Sequence, residues 1–394
     1  MKKLKELIRA KLPKDNFVRN ASVLVGGTMS AQALIIFSSP ILTRLYSPSD
    51  FGLLAVYMSM IAISLLISSL RYDIAIPLPE DDEDAANIVA LSLILVATIC
   101  FFVSIMVFYF RDSIAEILGL PILSNYLWML PLGILLGGIY KIFSQWSVRT
   151  KNFGIIASTK VRKSFVLLAI QLSAFKLEGL GLLLGQVASH GVGASRLARP
   201  NFKKFSWNGI RKVAIRYQRF PKFSTPAGLA RVVGVELPSL ILTAAFSPAA
   251  AGFYALTKRV LGAPTSLIGE AVSQVFISNA AEAYRNGILG PLVRNLHSKM
   301  AQIGAPFTLV LVLLGPQLFG LIFGEDWTQS GYFARWLAPW LYLTFISSPI
   351  TTVTAVMEKQ KQGMLFHFSL LGARILALYT GVLIGDLTTT IIIY

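Results

Sequence analysis

The sequence is short of the residues on which most soluble chemistry depends. It has one cysteine, Cys100, in 394 residues, so neither a disulfide framework nor a cysteine-based metal site is available. Its three histidines, His190, His297 and His367, are scattered and lack metal-ligand spacing. Charged residues make up only 14%, against about 25% in ordinary soluble domains. Acidic residues are the scarcer kind, 19 against 36 Lys and Arg. No P-loop motif occurs, so ATP is not the evident driver of anything the chain does. A cleavable signal peptide is also missing: MKKLKELIRAKLPKDNFVRN leads into an apolar stretch too long for a signal core, without a clear small-residue cleavage site. No metal and no cofactor is expected.

Apolar sequence is what the chain has in quantity. Hydrophobic residues reach 55% and mean hydropathy is +0.65. An apolar run of about 18 residues or more can cross a bilayer as a helix, and the chain reads as an all-α polytopic membrane protein. Spans are predicted at 21–43, 51–70, 86–110, 124–140, 155–175, 177–195, 225–246, 250–276, 299–323, 332–357 and 363–385. Ser-Pro at 47–48 and 247–248, Gly-Glu-Asp at 324–326 and Lys-Gln-Lys-Gln-Gly at 359–363 mark turns between them. Most of the 36 basic residues fall in the amino terminus and in alternate loops. Loops rich in Lys and Arg stay cytoplasmic, which places the amino terminus inside. The +17 balance is thereby read as topology and attraction to anionic inner-leaflet lipid. No nucleic-acid partner is implied, because the longest basic segment, 196–222, only joins two membrane halves. The acidic run PEDDED at 79–84 is read as a solvated turn.

One corner is written twice. Residues 39–56 are SPILTRLYSPSDFGLLAV and residues 239–256 are SLILTAAFSPAAAGFYAL. Ser39, Ile41, Leu42, Thr43, Ser47, Pro48, Gly52 and Ala55 recur two hundred positions later as Ser239, Ile241, Leu242, Thr243, Ser247, Pro248, Gly252 and Ala255. An even number of predicted spans separates the copies, so both corners lie on the outer side in the same orientation. Parallel repeats of this kind build transporters whose two related bundles rock about a central site.

The repeat and its surroundings carry a family resemblance. PKFSTPAGLARVVGVELPSLILTAAFSPAAAGFYALTKRVLGAPTSLIGEAVSQVF, at 221–276, resembles the start of the second lobe of bacterial polysaccharide exporters of the O-antigen flippase type. NASVLVGGTMSAQALIIFSSPILTRLYSPSDFG resembles their first span and turn. FGEDW followed by LAPWLYLTFISSPITTV resembles their ninth-to-tenth span region. The likeness is clear at 17–140 and 217–385 and dilute at 155–215. It implies membership of the multidrug/oligosaccharidyl-lipid/polysaccharide exporter superfamily, with two pseudo-repeated six-helix lobes around a central cavity. On that basis the amino-terminal lobe is expected at 1–195, a basic cytoplasmic connection at 196–222 and the carboxy-terminal lobe at 223–394. About eleven spans are found where the family has twelve: after Asp386 only LTTTIIIY remains, and the second lobe is expected to lack its last helix. The implied activity is translocation of an undecaprenyl-diphosphate-linked oligosaccharide across the bacterial inner membrane, with membrane lipids and polysaccharide polymerase machinery as further partners.

Charges inside the spans are the candidate site. An ionisable group at mid-bilayer is costly and normally faces a bundle interior or a wet cavity. Glu236, Lys258, Arg259 and Arg374 are such groups, all in the second lobe, while the first four spans carry none in their centres. Glu236 and Arg259 lie about ten residues from the outer ends of their spans, roughly 15 Å at helical rise. A cationic lining of Arg259, Lys258 and Arg374 would attract the diphosphate, with arginine offering bidentate donors and Glu236 serving as counter-ion. The bland alternative is a permanent Glu236–Arg259 pair that pins two spans together. Arg259, Gly262, Ser266, Glu270 and Ser273 share one helical stripe, as do Thr225, Val232, Glu236, Ser239 and Thr243. Either stripe could equally serve close helix packing. Arg231 faces away from the Glu236 stripe and is read as snorkelling. Pro238 and Pro264 allow kinks. Trp146, Trp207, Trp327, Trp336 and Trp340 are read as an interfacial aromatic belt. The chain is not expected to be an enzyme: a polytopic polymerase would want acid–base groups on a substantial extramembrane loop, and the outer loops are short. The nearer rival is a multidrug or cation exporter of the same superfamily, whose cavity should be net acidic.

Overall fold

The computed structural model of the chain describes residues 16–197, 205–264, 289–348 and 360–394, with 268, 269, 272, 276, 286 and 287. Among these residues the regular structure is helical throughout, as thirteen α-helices. In chain order they are α1 Asn16–Leu45, α2 Pro48–Ile67, α3 Asp82–Ile117, α4 Met129–Arg149, α5 Phe153–Ser173, α6 Gly179–Leu197, α7 Trp207–Arg216, α8 Thr225–Ala245, α9 Pro248–Pro264, α10 Leu289–Phe323, α11 Thr328–Ser347, α12 Gln360–Ile384 and α13 Leu387–Ile393. Each predicted span falls on one of these helices. The far parts of the spans at 250–276 and 332–357, with Ser266, Glu270 and Ser273, lie outside the described residues.

The protein is a multi-pass membrane protein, and its surface is built accordingly. By length and composition α2, α3, α10, most of α1 and the stretch Phe220–Ala245 are each able to cross a bilayer. Their outward faces carry large apolar side chains, among them Phe37, Phe101, Phe108, Tyr109 and Leu321, all strongly exposed. An apolar surface of that extent in water would drive aggregation; against lipid it costs nothing. Helices α1 to α6 pack among themselves, as do α8 to α13, and α2 makes the main contact between the two halves, against α8 and α9. The largest hydrophobic cluster crosses that boundary, joining Leu42, Phe51, Val56 and Tyr57 to Leu242, Ala251, Tyr254, Trp327 and Phe333.

The proline inside α8 is accommodated by a specific partner. Pro238 lies within α8, and its missing N–H frees the carbonyl of Gly234 one turn earlier. The Tyr394 hydroxyl donates to that carbonyl at 3.5 Å. Near Pro40 in α1, the hydroxyl of Ser39 donates to the Ile35 carbonyl at 2.8 Å. Asp386 caps α13: hydrogen bonds from the Thr389 hydroxyl and N–H hold its carboxyl below the usual carboxylate range.

Two readings from sequence need correction at the other end of the bundle. The acidic run is not a free turn. Helix α3 starts inside it, where Asp82, Glu83 and Asp84 suit the positive end of the helix dipole. Asp82 pairs with Arg149 at 2.9 Å, and buried Asp84 pairs with Lys212 at 3.3 Å and Arg216 at 3.4 Å. The basic connection between the halves is likewise not all loop, because it contains α7. Ser206 caps that helix by accepting from the Gly209 N–H at 3.0 Å. Ile210 and Val213 are buried while Trp207 and Ile215 are exposed, so α7 is amphipathic and lies on the first half. The Tyr72 hydroxyl ties it down by donating to the Ala214 carbonyl at 2.9 Å.

Candidate functional site

The repeated corners face each other across the seam between the halves. Ser47 opens α2 with a complete capping box: its hydroxyl accepts from the Asp50 N–H, and Asp50 accepts from the Ser47 N–H. In the second copy Ser247 accepts from the Ala250 N–H at 3.2 Å. Ala250 has no carboxylate to return the bond, and it is instead fully packed. Both caps aim the first turn of a helix at the same point. A side chain at Gly52 would overlap the Pro248 carbonyl, and one at Gly252 would overlap the Pro48 carbonyl. The repeated glycines therefore mark where α2 and α9 cross backbone to backbone, which only small residues permit.

Other groups complete the seal around this crossing. The Trp327 indole N–H donates to the Thr43 carbonyl at 2.9 Å, an orphan acceptor in the last turn of α1. Phe51 meets the Trp327 ring edge-on at 4.9 Å. Trp327 is almost fully buried, so it does not belong to the aromatic belt predicted for it; Trp207 and Trp336 are exposed as an interfacial residue should be. Gly119, with φ +63°, lets the turn after α3 approach α8: a side chain there would lie 3.2 Å from the Ala244 Cα.

Beneath the seal lie the predicted charges, and the structure groups them differently from the sequence reading. Glu236 pairs with Lys258, Oε1 to Nζ at 3.1 Å, and not with Arg259. Its other oxygen lies 3.1 Å from the hydroxyl of Ser59 on α2, in the opposite half. That hydroxyl is also 2.9 Å from the Ala55 carbonyl, so one proton serves two acceptors. Arg259 crosses the seam as well. Its Nη1 reaches the Ser39 hydroxyl at 3.5 Å, the long limit of a hydrogen bond, and its guanidinium lies 5.6 Å from the Phe51 ring centre. Among the described residues no carboxylate pairs with Arg259. Arg374 makes its contacts inside the second half. A side chain at Gly234 would lie 3.3 Å from its Nη1, its guanidinium is 5.8 Å from the Trp340 ring and 5.9 Å from the Tyr394 ring, and its buried Nε has no partner. The structure thus brings Glu236, Lys258 and Arg259 to the seam, with Arg374 against Gly234 on the same helix as Glu236.

The Glu236–Lys258 pair is partly open, with side-chain exposures of 19% and 38%, so its worth is reduced by screening. Removing one partner still leaves the other charge unbalanced in an apolar bundle. Glu236→Gln and Lys258→Met are each expected to destabilise the purified protein, and the double variant to recover most of the loss. A thermal-unfolding double-mutant cycle measures this; strictly additive losses would show that the pair is not coupled.

A profile of the family described as polysaccharide biosynthesis protein matches residues 41–331, well over half of the chain. The chain belongs to this family. The match includes nearly all of the first corner, all of the second and the charges at 236, 258 and 259; Ser39 and Arg374 lie outside it. No curated protein matches the chain in sequence. Among solved structures, the lipid II flippase MurJ in an inward closed conformation superposes with a TM-score of 0.75 at 12% identity, covering 94% of this chain and 83% of that one. An inward-facing multidrug resistance MATE family transporter of the MOP superfamily superposes at 0.72 with 14% identity, covering 95% and 93%. The Vibrio cholerae MATE transporter VcmN in its bent form superposes at 0.55 with 12% identity, covering 95% and 93%. These likenesses establish the fold.

Proposed function

We propose that this protein is a flippase, which carries an undecaprenyl-diphosphate-linked oligosaccharide from the cytoplasmic to the periplasmic leaflet of the bacterial inner membrane. The observation that carries this reading is Arg259, a half-buried cation at the junction of the two halves that, among the described residues, is held by a hydroxyl and an aromatic face. Such a group is costly to keep empty, and a diphosphate would supply the missing negative charge through bidentate hydrogen bonds. Family membership supports a role in polysaccharide biosynthesis. Arg259 and Lys258 would bind the cargo, with Arg374 as a further cation for it, and Glu236 would hold Lys258 when the site is empty.

In this reading the amino terminus is cytoplasmic and the corners are periplasmic. Residues 1–195 and 223–394 form the two lobes, and 196–222, with α7, connects them on the cytoplasmic side. The seal at Gly52 and Gly252 then closes the periplasmic end, so the structure corresponds to a state loaded from the cytoplasm. Polysaccharide polymerase machinery would take up the flipped product. A multidrug or cation exporter would need a net acidic seam, whereas Lys258 and Arg259 outnumber Glu236 here.

Complementation of a flippase-deficient strain tests the proposal. Wild type is expected to restore surface polymer; Arg259→Ala and Glu236→Gln are expected to restore far less. Equal restoration by all three would reject the site, and failure of the wild type in every polymer background tried would reject the function.

A further inference from the structure

The first half contains a second set of cations. Helices α1, α4, α5 and α6 carry no acidic residue at all over their described lengths. Besides Arg19 and Arg44 in α1, they contain Lys141, Arg149, Lys160, Arg162, Lys163 and Arg196. Two of these are neutralised from outside: Lys141 pairs with Asp73 at 3.2 Å and Arg149 with Asp82. Arg162 is exposed. Lys160, Lys163 and Arg196 remain half-buried and, among the described residues, have neutral partners. Lys160 Nζ donates to the Thr28 hydroxyl on α1 at 2.9 Å. Lys163 Nζ sits 3.8 Å from the centre of the Tyr140 ring on α4. Arg196 Nη2 donates to the Ser158 hydroxyl at 3.2 Å.

Their placement forms a ladder. Arg196 is in the last turn of α6 and bonds Ser158, near the start of α5; Lys160 and Lys163 follow along α5. Lys163 is ten residues into that helix, roughly 15 Å from its start at helical rise. Gly193 leaves room for it: a side chain there would lie 2.8 Å from the Lys163 Cδ and 2.7 Å from the Tyr140 ring. Around the ladder three buried polar atoms have no hydrogen-bond partner among the described residues: Arg196 Nε, His190 Nδ1 and Thr159 Oγ1. Thr159 and Lys163 share one face of α5, four residues apart, and His190 is one turn from Gly193 on α6. Buried polar atoms normally find partners; three orphans beside three unbalanced cations mark a place that an anion with several acceptor oxygens would complete.

We propose that Arg196, Lys160 and Lys163 form an anion-binding station within the first half, which takes a phosphorylated lipid headgroup from the basic end of the bundle to mid-membrane depth. The proposal rests on the flippase reading for its cargo: the diphosphate of the carrier lipid would enter on Arg196, advance to Lys160 and Lys163, and pass to Arg259 and Lys258 at the seam. An anionic bilayer phospholipid offers the same phosphate chemistry and is the other source.

The test uses the purified full chain in phosphatidylcholine nanodiscs and radiolabelled undecaprenyl diphosphate. Lys163→Gln and Lys160→Gln are each expected to weaken binding about tenfold, as loss of one charge-assisted contact implies, and Lys163→Arg to retain it. In wild type, bound diphosphate should protect Lys160 and Lys163 from reductive methylation and leave exposed Lys151 unprotected. That arm needs no variant to fold. Competition by phosphatidylglycerol at equal concentration would support the station and assign it to bilayer lipid; lack of competition would support it and assign it to the cargo. Undiminished binding by both glutamine variants, or equal methylation with and without ligand, overturns the proposal. Because the readout is binding, a failed complementation would reject the flippase reading without deciding this one.

Discussion

Gly52→Ala is expected to cut transport by roughly tenfold or more, and Gly252→Ala added to it to cost little further. The added methyl has no lateral escape, since what it meets is the backbone carbonyl of Pro248 at the opposing helix's first turn. Overpacking of this kind costs about 1–3 kcal/mol where the structure cannot yield. Here it can yield in one direction, by parting α2 from α9. The cost then falls on the sealed state alone, and the equilibrium between sealed and open corners shifts by the same amount. Because the two glycines oppose each other across one crossing, the first substitution opens the gap that the second needs. Non-additivity is thus part of the prediction. Opening is read directly by placing a single cysteine at Thr43, buried beneath the seal, in a Cys100→Ser background. An impermeant maleimide should label it faster in Gly52→Ala than in the parent. Unchanged labelling with normal transport would mean that the crossing is not a gate.

The crossing was half legible in the sequence. Identical residues two hundred positions apart reveal a duplicated corner, and each Ser-Pro turn is visible as a helix start. What the spacing does not carry is that Gly52 and Gly252 touch. Equal residues become partners only when the copies are related by an axis through that spot, which is a property of packing and not of either copy. The choice between Lys258 and Arg259 as the partner of Glu236 failed to emerge for a similar reason. Adjacent helical residues point about 100° apart, so the answer depends on how α9 is rotated against α8, and crossing geometry sets that rotation. Trp327 stood in a recognisable FGEDW motif, yet its burial depends on an orphan carbonyl of α1 nearly three hundred residues earlier.

The first-half cations are harder to read from the sequence. Lys160 and Lys163 sit near one end of a predicted span and read as boundary charges. Helical rise alone would have placed Lys163 close to mid-membrane, and the lack of any acid in four neighbouring helices was on view as well. Helix α7 was concealed by its charge: nine basic residues between 196 and 222 suggested a loop, although Ile210, Val213 and Tyr217 keep a helical spacing behind the cap at Ser206.

Arg259→Met is expected to stabilise the protein while ending transport. A buried arginine with a matched carboxylate resists replacement, because its partner is left stranded. Among the described residues Arg259 has no such partner: the Ser39 hydroxyl keeps its own bond to the Ile35 carbonyl, and Phe51 keeps its packing against Trp327. Methionine fills similar volume with no charge to desolvate. Exchanges of buried ionic groups for apolar ones are worth about 1–4 kcal/mol in favourable cases, which should raise the melting temperature of the purified protein by a few degrees. Arg259→Lys keeps the charge but loses the planar fork that suits a diphosphate, so it should leave stability near wild type and restore only part of the transport. A strut would behave in the opposite way. If the guanidinium existed to brace α9 against α1 and α2, methionine would lower the melting temperature and labelling at Thr43→Cys would rise in step. A rise in stability together with lost transport is the signature of a charge kept for a passing anion, and the two measurements on one variant separate that role from the bracing one.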